Sequence, residues 1–499
     1  MKQDDLYTLI QKMTKQEKIF FNRYAQVSNN KKNKHYLSLF KAIDSQFKKN
    51  GVIDEQSLKK KFQYLSVEKR YLLNVLIKAL TVFHENDDGF VVVKTLIKQI
   101  KVLIDKGVFK EAKKLHTKAV DMAEQYNLFE DLLILNNLKM VMADYQTVIN
   151  DLDEMQALTE DKKKCVDQML NHDQYRLFIY RIYEFSRQHD YIDTPEKMEK
   201  LNALIDIPLL QSPDQALSNK AKELYFMAKI CICFMLDDIE SQYQEFQQRI
   251  ALMDANPHLY DAYNKMIVTR TYIYCCVHVK EEEECRQQLQ SLDRQVAAYP
   301  AESGFAFANL HLCHLVVNSG FGDFECNKEW ISKAEVGLKT YKDISQLLKE
   351  FLYFALGRAC MELEHYEKAL DYLYKVNEDK VFGKDAINYT ATRLLILICY
   401  YELGWQSNLE SAVISFYRQI RRASIKFKLY ELLLKYLKLA IANRDLTHKK
   451  TLQFFSTEWK SIESNSREMI PFHFFHYKEW LQSKVEKKPL SAYFKNVTI

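Results

Sequence analysis

The sequence predicts an all-α protein, a helical N-terminal domain followed by a stack of helical hairpins. Glycine is the first sign: 10 residues in 499, about 2% against an average near 7%. Sheet turns and phosphate-cradling loops use glycine freely, and prolines number only 7, so the chain lacks the punctuation of a β protein. Second, apolar residues recur at helical spacing along the whole chain, and strand alternation is nearly absent. Third, residues 351–373 read as two short helices folded back on each other, and the remaining pairs repeat that plan.

In the first half of that stretch Leu352, Ala355, Leu356, Ala359 and Leu363 form one apolar stripe, and Tyr366, Ala369, Leu370 and Leu373 repeat the spacing in the second half. Glu364 and His365 leave a tight turn, and small Gly357 and Ala369 sit where antiparallel helices approach closely. The order Leu356-Gly357, Tyr366, Ala369 resembles the tetratricopeptide repeat (TPR), with Cys360 and Val381 where that pattern prefers Tyr and Pro. The resemblance implies an α-solenoid of TPR-like hairpins with a right-handed twist. Each repeat of such a stack buries its face against its neighbours, so length does not count its domains.

From the N-terminus, Thr14-Lys15-Gln16-Glu17 has the form of a capping box opening a helix through Phe20, Phe21 and Tyr24. Residues 28–33 read as a loop. Tyr36, Leu37, Phe40, Ile43 and Phe47 mark the next helix, closed by Asn50-Gly51. Residues 54–62 form a short lysine-rich helix, and Ser66 starts a long one through Leu80. Asn86-Asp87-Asp88-Gly89 is the best domain boundary. Three segments follow: a basic helical domain over residues 1–88, a solenoid over 89–450, and C-terminal capping helices with a tail over 451–499.

Beyond Gly89, Gly107-Val108-Phe109 with Ala112 repeats the turn, aromatic and small-residue order. Helices run over 132–145 and through Tyr175, Phe178, Ile182 and Phe185. Pro195, Pro208 and Pro213 mark a long inter-helix loop or a break in the stack. Helices resume over 221–236, 241–252 and 260–276, with turns at Asn256-Pro257, Tyr299-Pro300 and Gly320-Phe321-Gly322. Residues 388–403, apolar almost all round, belong in the interior, and Gly404-Trp405 is again a turn followed by an aromatic. Leu363 and Leu403 stand at equivalent positions 40 apart, longer than the TPR period of about 34. Leu433, Leu437, Tyr477 and Trp480 carry the last helices.

The run 385–417, with Leu394, Leu395, Tyr400-Tyr401-Glu402-Leu403-Gly404, Leu409-Glu410-Ser411 and Tyr417-Arg418, resembles a family of uncharacterised TPR-like helical-repeat proteins of Bacteroidetes. Met13-Thr14-Lys15-Gln16-Glu17-Lys18 and Trp480-Leu481-Gln482-Ser483-Lys484 are similar too. The resemblance implies the helical fold over nearly the whole chain and transfers no activity.

Composition narrows the function classes. No Walker loop, Gly-x-Gly-x-x-Gly, His-Glu-x-x-His or Gly-x-Ser-x-Gly occurs, so neither an enzyme site nor a cofactor is expected. Cys275, Cys276, His278 and Cys285, with His311, Cys313 and His314, are the nearest thing to a zinc set. His311 and His314 share a helix face while Cys313 points elsewhere, and free Cys packs as a small hydrophobe, so these read as core residues. Residues 1–15 are too polar for a signal peptide, and the longest apolar run, 394–401, is far short of a membrane span of about 20 residues. A cytoplasmic chain with reduced thiols is expected.

Net charge is +5, yet residues 1–80 hold 17 Lys and Arg against 7 Asp and Glu, a local excess of +10. Lys31, Lys32, Lys34, Lys48, Lys49, Lys59, Lys60 and Lys61 cluster there, while Arg418, Arg421 and Arg422 share one helical face, with Lys426 beyond. The expected function is a non-enzymatic protein-interaction scaffold that binds a partner protein or peptide in the solenoid groove. The alternative is a nucleic-acid-binding regulator that contacts phosphates through the basic N-terminal domain.

Overall fold

The computed structural model describes residues 4–27, 35–51, 53–84, 89–145, 152–189, 192, 194–299, 303–378, 387–422, 427–442, 458–459, 462 and 466–494. Every regular element among them is a helix. The residues read as a loop at 28–33, the boundary residues 86–88, Pro300, Lys426 and the tail 495–499 lie outside that set. The chain divides into two compact units, Met1–Met169 and Leu170–Ile499.

The first unit opens with α1 (Asp5–Lys12), α2 (Lys15–Val27), α3 (His35–Asn50), α4 (Glu55–Lys61) and α5 (Leu65–Phe83). The capping box forms as read: Glu17 N–H donates to Thr14 Oγ1 at 3.2 Å and Thr14 N–H to Glu17 Oε2 at 2.6 Å. Asp54 caps α4 by accepting the Gln56 and Ser57 amides. Phe21, Leu39, Phe40, Ile43, Leu72 and Leu76 make the core between these helices. Next come α6 (Gly89–Asp105), α7 (Phe109–Gln125), α8 (Phe129–Tyr145) and the first half of α9 (Leu152–Gln188). Val93, Ile100, Ala112, Ala119 and Leu135 close a second core, and Gly107 turns at φ 71, a conformation glycine adopts at no steric cost.

The second unit continues α9 and adds α10 (Pro195–Ile205), α11 (Asn219–Leu236), α12 (Ile239–Ala255), α13 (Ala262–Val279), α14 (Glu282–Ala297), α15 (Gly304–Phe321), α16 (Asn327–Thr340), α17 (Gln346–Glu362), α18 (Tyr366–Glu378), α19 (Ile387–Glu402), α20 (Gln406–Arg422) and α21 (Lys428–Ile441). A 3₁₀ segment, Ser466–His473, then leads into α22 (Tyr477–Glu486). From α11 onward most helices pack on the next in sequence, and α13, α15, α17 and α19 also pack on one another as alternate members. That arrangement is a row of hairpins.

In the hairpin α17–α18, Leu352, Leu356, Ala359, Ala369, Leu370 and Leu373 are all buried. A Cβ on Gly357 would stand 2.8 Å from Leu373 side-chain carbons, so glycine permits the close crossing. The turn uses Glu364 at φ 61, with His365 N–H returning to the Cys360 carbonyl at 2.8 Å. Pro195 differs from its reading as an interruption. It stands in the first turn of α10, where its missing N–H costs nothing, and Thr194 caps that helix through the Lys197 amide. Pro208 and Pro213 each start a 3₁₀ turn.

The C-terminal segment enters the core of this unit. Trp480 is 1% exposed, packs edge-on against Tyr401 and Tyr436, and donates its indole N–H to Glu402 Oε1 at 2.6 Å. Lys484 joins the same carboxylate at 2.6 Å.

Candidate functional site

A cavity of about 860 Å³ lies in the second unit between α13, α15 and α17 on one side and residues 469–479 on the other. Helical periodicity explains which side chains reach it. Tyr274 and Val277 project from α13, Leu312, Leu315 and Val316 from α15, and Phe351, Phe354 and Arg358 from α17. Phe351 and Phe354 fall beside the apolar stripe that packs α17 on α18, so their rings are left to line the opening.

The polar end is built on α17. Arg358 donates from Nε to Glu362 Oε1 at 2.8 Å, one turn along, and Ser319 Oγ donates to Glu362 Oε2 at 2.5 Å. Asn327 Nδ2 donates to Ser319 Oγ at 3.2 Å, and Asn318 Nδ2 to Asn327 Oδ1 at 3.0 Å. Burial raises the Glu362 pKa against the pull of Arg358 and the Ser319 hydroxyl.

Arg358 also reaches the C-terminal segment, its Nη1 lying 3.5 Å from the His473 carbonyl and its Nη2 3.0 Å from His476 Nε2. His476 Nε2 lies 2.8 Å from the Ser319 carbonyl as well. One ring nitrogen carries one hydrogen at most, so it either donates to that carbonyl or accepts from Arg358. His278 of α13 stacks on His473 with ring centroids 3.9 Å apart, and Phe354 meets Phe474 edge-on at 5.9 Å. Burial, then the Lys280 and Arg358 charges, push His473 down to about 4. Burial and the neighbouring cations hold His278 and His476 well below their ordinary value too. All three imidazoles are therefore neutral near pH 7.

The cysteine and histidine residues singled out in the sequence are dispersed among packing roles. Cys275, Cys276, Cys285 and Cys313 are buried among Ile273, Leu289, Leu292 and Val317. Burial pushes the Cys275 and Cys285 thiols up to about 12. His311 and His314 do share a face of α15, and both meet Trp330, His314 stacking at 3.7 Å while also bonding Asp293 at 2.9 Å. Among the described residues no group of three His, Cys, Asp or Glu converges as metal ligands do.

Lys59, Lys60 and Lys61 are exposed in the last turn of α4, where cations complement the helix dipole, and Lys61 lies 5.9 Å from the Phe62 ring. Lys48 and Lys18 both engage Asp44, at 2.7 and 2.9 Å, and Lys49 is exposed at the end of α3. Lys31, Lys32 and Lys34 lie outside the described residues. Arg418, Arg421 and Arg422 are exposed on α20, with Arg421 and Lys438 flanking the Tyr417 ring at 5.7 and 4.1 Å. No described helix is long and apolar enough to cross a membrane.

Sequence reasoning missed Arg358, Lys280, His473 and His476. The available signal was the density of rings in Phe472-His473-Phe474-Phe475-His476-Tyr477, two histidines within a run too aromatic for a loop. No family model, curated protein or solved structure matches the chain.

Proposed function

We propose that the protein is a non-enzymatic interaction scaffold, a solenoid of TPR-like hairpins whose groove takes an extended segment of a partner protein. One observation supports this most: the groove already takes a segment of its own chain, the end of the 3₁₀ stretch and the turn that follows it. Residues 472–476 lie against α13, α15 and α17 with aromatic anchors, and Arg358 reaches a main-chain carbonyl, that of His473. Side-chain anchors in apolar pockets with main-chain contacts between them are how extended peptides are recognised. A partner segment bearing similar rings meets the same surface, with Phe351 and Phe354 as its platform.

The test is affinity purification of the full chain from its native cell, identifying retained proteins and nucleic acids, beside a Phe351→Asp variant that melts at the same temperature. The expected result is a protein retained by the wild type and lost by the variant. Retention of nucleic acid alone, released by moderate salt, overturns the scaffold and favours the basic N-terminal helices.

A further inference from the structure

In the first unit, α5 turns Leu65, Leu72, Leu76 and Ala79 into the core. The opposite face of a surface helix is ordinarily polar. On α5 that face instead exposes Val67, Tyr71, Ile77 and Val82, Val67 by 66% and Ile77 by 51%. Single exposed apolar residues are common. Four along one helix, with Tyr64 65% exposed just before it, make a row that the packing of this unit does not use, and exposed apolar patches mark interaction sites.

The exposed charges of α5 are both positive. Arg70 and Lys78 stand on the same outward face, and no described carboxylate bridges either. Glu68, the one acid of α5, is half-buried with its Oε2 enclosed. Near the first turn Asp4 and Glu55 hold Lys69, and Asp5 opens α1. Lys59, Lys60 and Lys61 of α4 add to the positive side.

From Val67 to Val82 the row runs about 22 Å at 1.5 Å per residue, the length of a four-turn helix. The backbone of α5 spends its N–H and C=O groups within the helix, so a partner meets side chains alone, and a second helix can pack its ridges between them. We infer that this face docks an acidic amphipathic helix of another protein, its apolar stripe on Val67, Tyr71, Ile77 and Val82 and its carboxylates beside Arg70 and Lys78.

Other occupants fit less well. Duplex DNA would set phosphates against the hydrocarbon between two cations that lie about 12 Å apart along the axis. A second copy packed antiparallel about Asn74 would face Arg70 with Lys78, a repulsive pairing. An anionic membrane takes Trp, Phe or Leu anchors, and none is exposed on this face. The surface belongs to the first unit and does not depend on the groove of the second.

The test puts p-benzoylphenylalanine in place of Ile77 in the full chain in the native cell, with exposed Val336 of α16 as the control position. One protein cross-linked from 77 and not from 336 is expected, the adduct mapping to a helical segment with more Asp and Glu than Lys and Arg. A synthetic peptide of that segment should bind the wild-type full chain, and Arg70→Glu with Lys78→Glu should weaken it at least about tenfold at unchanged melting temperature. Replacing the peptide's acids by Lys should restore binding to that variant. Should the double variant fold poorly, the wild type still decides, because its affinity for the peptide should fall as salt is raised. No cross-linked protein, an adduct without net negative charge, binding untouched by salt or charge reversal, or occupation of this face by a second copy, duplex DNA or phosphatidylglycerol vesicles overturns the inference.

Discussion

Arg358 and Glu362 stand one turn apart on α17 and meet at 2.8 Å, the carboxylate side chain fully buried. The pair is tied by Ser319 to α15 and by His473 and His476 to the C-terminal segment, so it joins three parts of the second unit. Removing one partner of a buried pair leaves the other charged and unpaired, at a cost of about 3–5 kcal/mol. Arg358→Met and Glu362→Gln should each lower the urea midpoint by a corresponding amount. Replacing both by Met should cost less than either alone. Two independent small effects would show the pair to be solvated.

Gly357 gives a packing test of the hairpin. A methyl group there stands 2.8 Å from Leu373 side-chain carbons, so Gly357→Ala must displace that side chain or push α18 away. Overpacking of this kind costs about 1–3 kcal/mol, outweighing the ordinary helix gain of alanine of about 1 kcal/mol. Adding Leu373→Ala to Gly357→Ala should restore part of the loss. Chemical denaturation of the two variants checks this, and a stabilised Gly357→Ala would refute the close crossing.

Acid should weaken the second unit. His278, His473 and His476 sit below the ordinary 6.5 because burial and nearby cations disfavour their charged forms. The unfolded chain therefore binds protons that the folded chain does not. Their stabilisation is present above about pH 6.5 and is lost as pH falls toward the folded value of about 4 for His473. Asp237, raised by burial to about 6, and Glu245 and Glu362, also raised, work in the opposite sense. His172, His311 and His314 are lowered by burial as well, and six imidazoles against three carboxyls leave a net loss, so the melting temperature should drop between pH 7 and about pH 5. His473→Gln should flatten that slope.

Much of the helical plan was legible because local chemistry specifies it. Thr14 and Glu17 cap as spaced, Gly51, Gly107 and Gly404 take positive φ at their turns, and the stripe from Leu352 to Ala359 is buried. The first half of α9 was not legible, since residues 152–170 alternate charges with no clean apolar stripe. The polar end of the cavity was hidden for another reason. Arg358 and Glu362 look like an ordinary solvated i, i+4 pair, and only the fold brings His476 to Ser319, 157 residues away.

The lysines of α4 give a salt test of the alternative function. Lys59, Lys60 and Lys61 close a helix and are solvated there. Replacing all three by Glu in the full chain should leave binding to duplex DNA weak and nearly unchanged at physiological salt. A sub-micromolar affinity that falls steeply with salt and is lost in this variant would mark a phosphate-contacting surface.

The groove itself is tested most directly by photo-cross-linking in the native cell, with p-benzoylphenylalanine in place of Phe354 and, as control, of Ile414 on the exposed face of α20. Capture of a partner's segment predicts one protein cross-linked from position 354 and not from 414, the adduct mapping to an aromatic-bearing stretch of that protein. Cross-links from 354 that reach only residues 472–476 of the same chain, or nucleic acid, would contradict it.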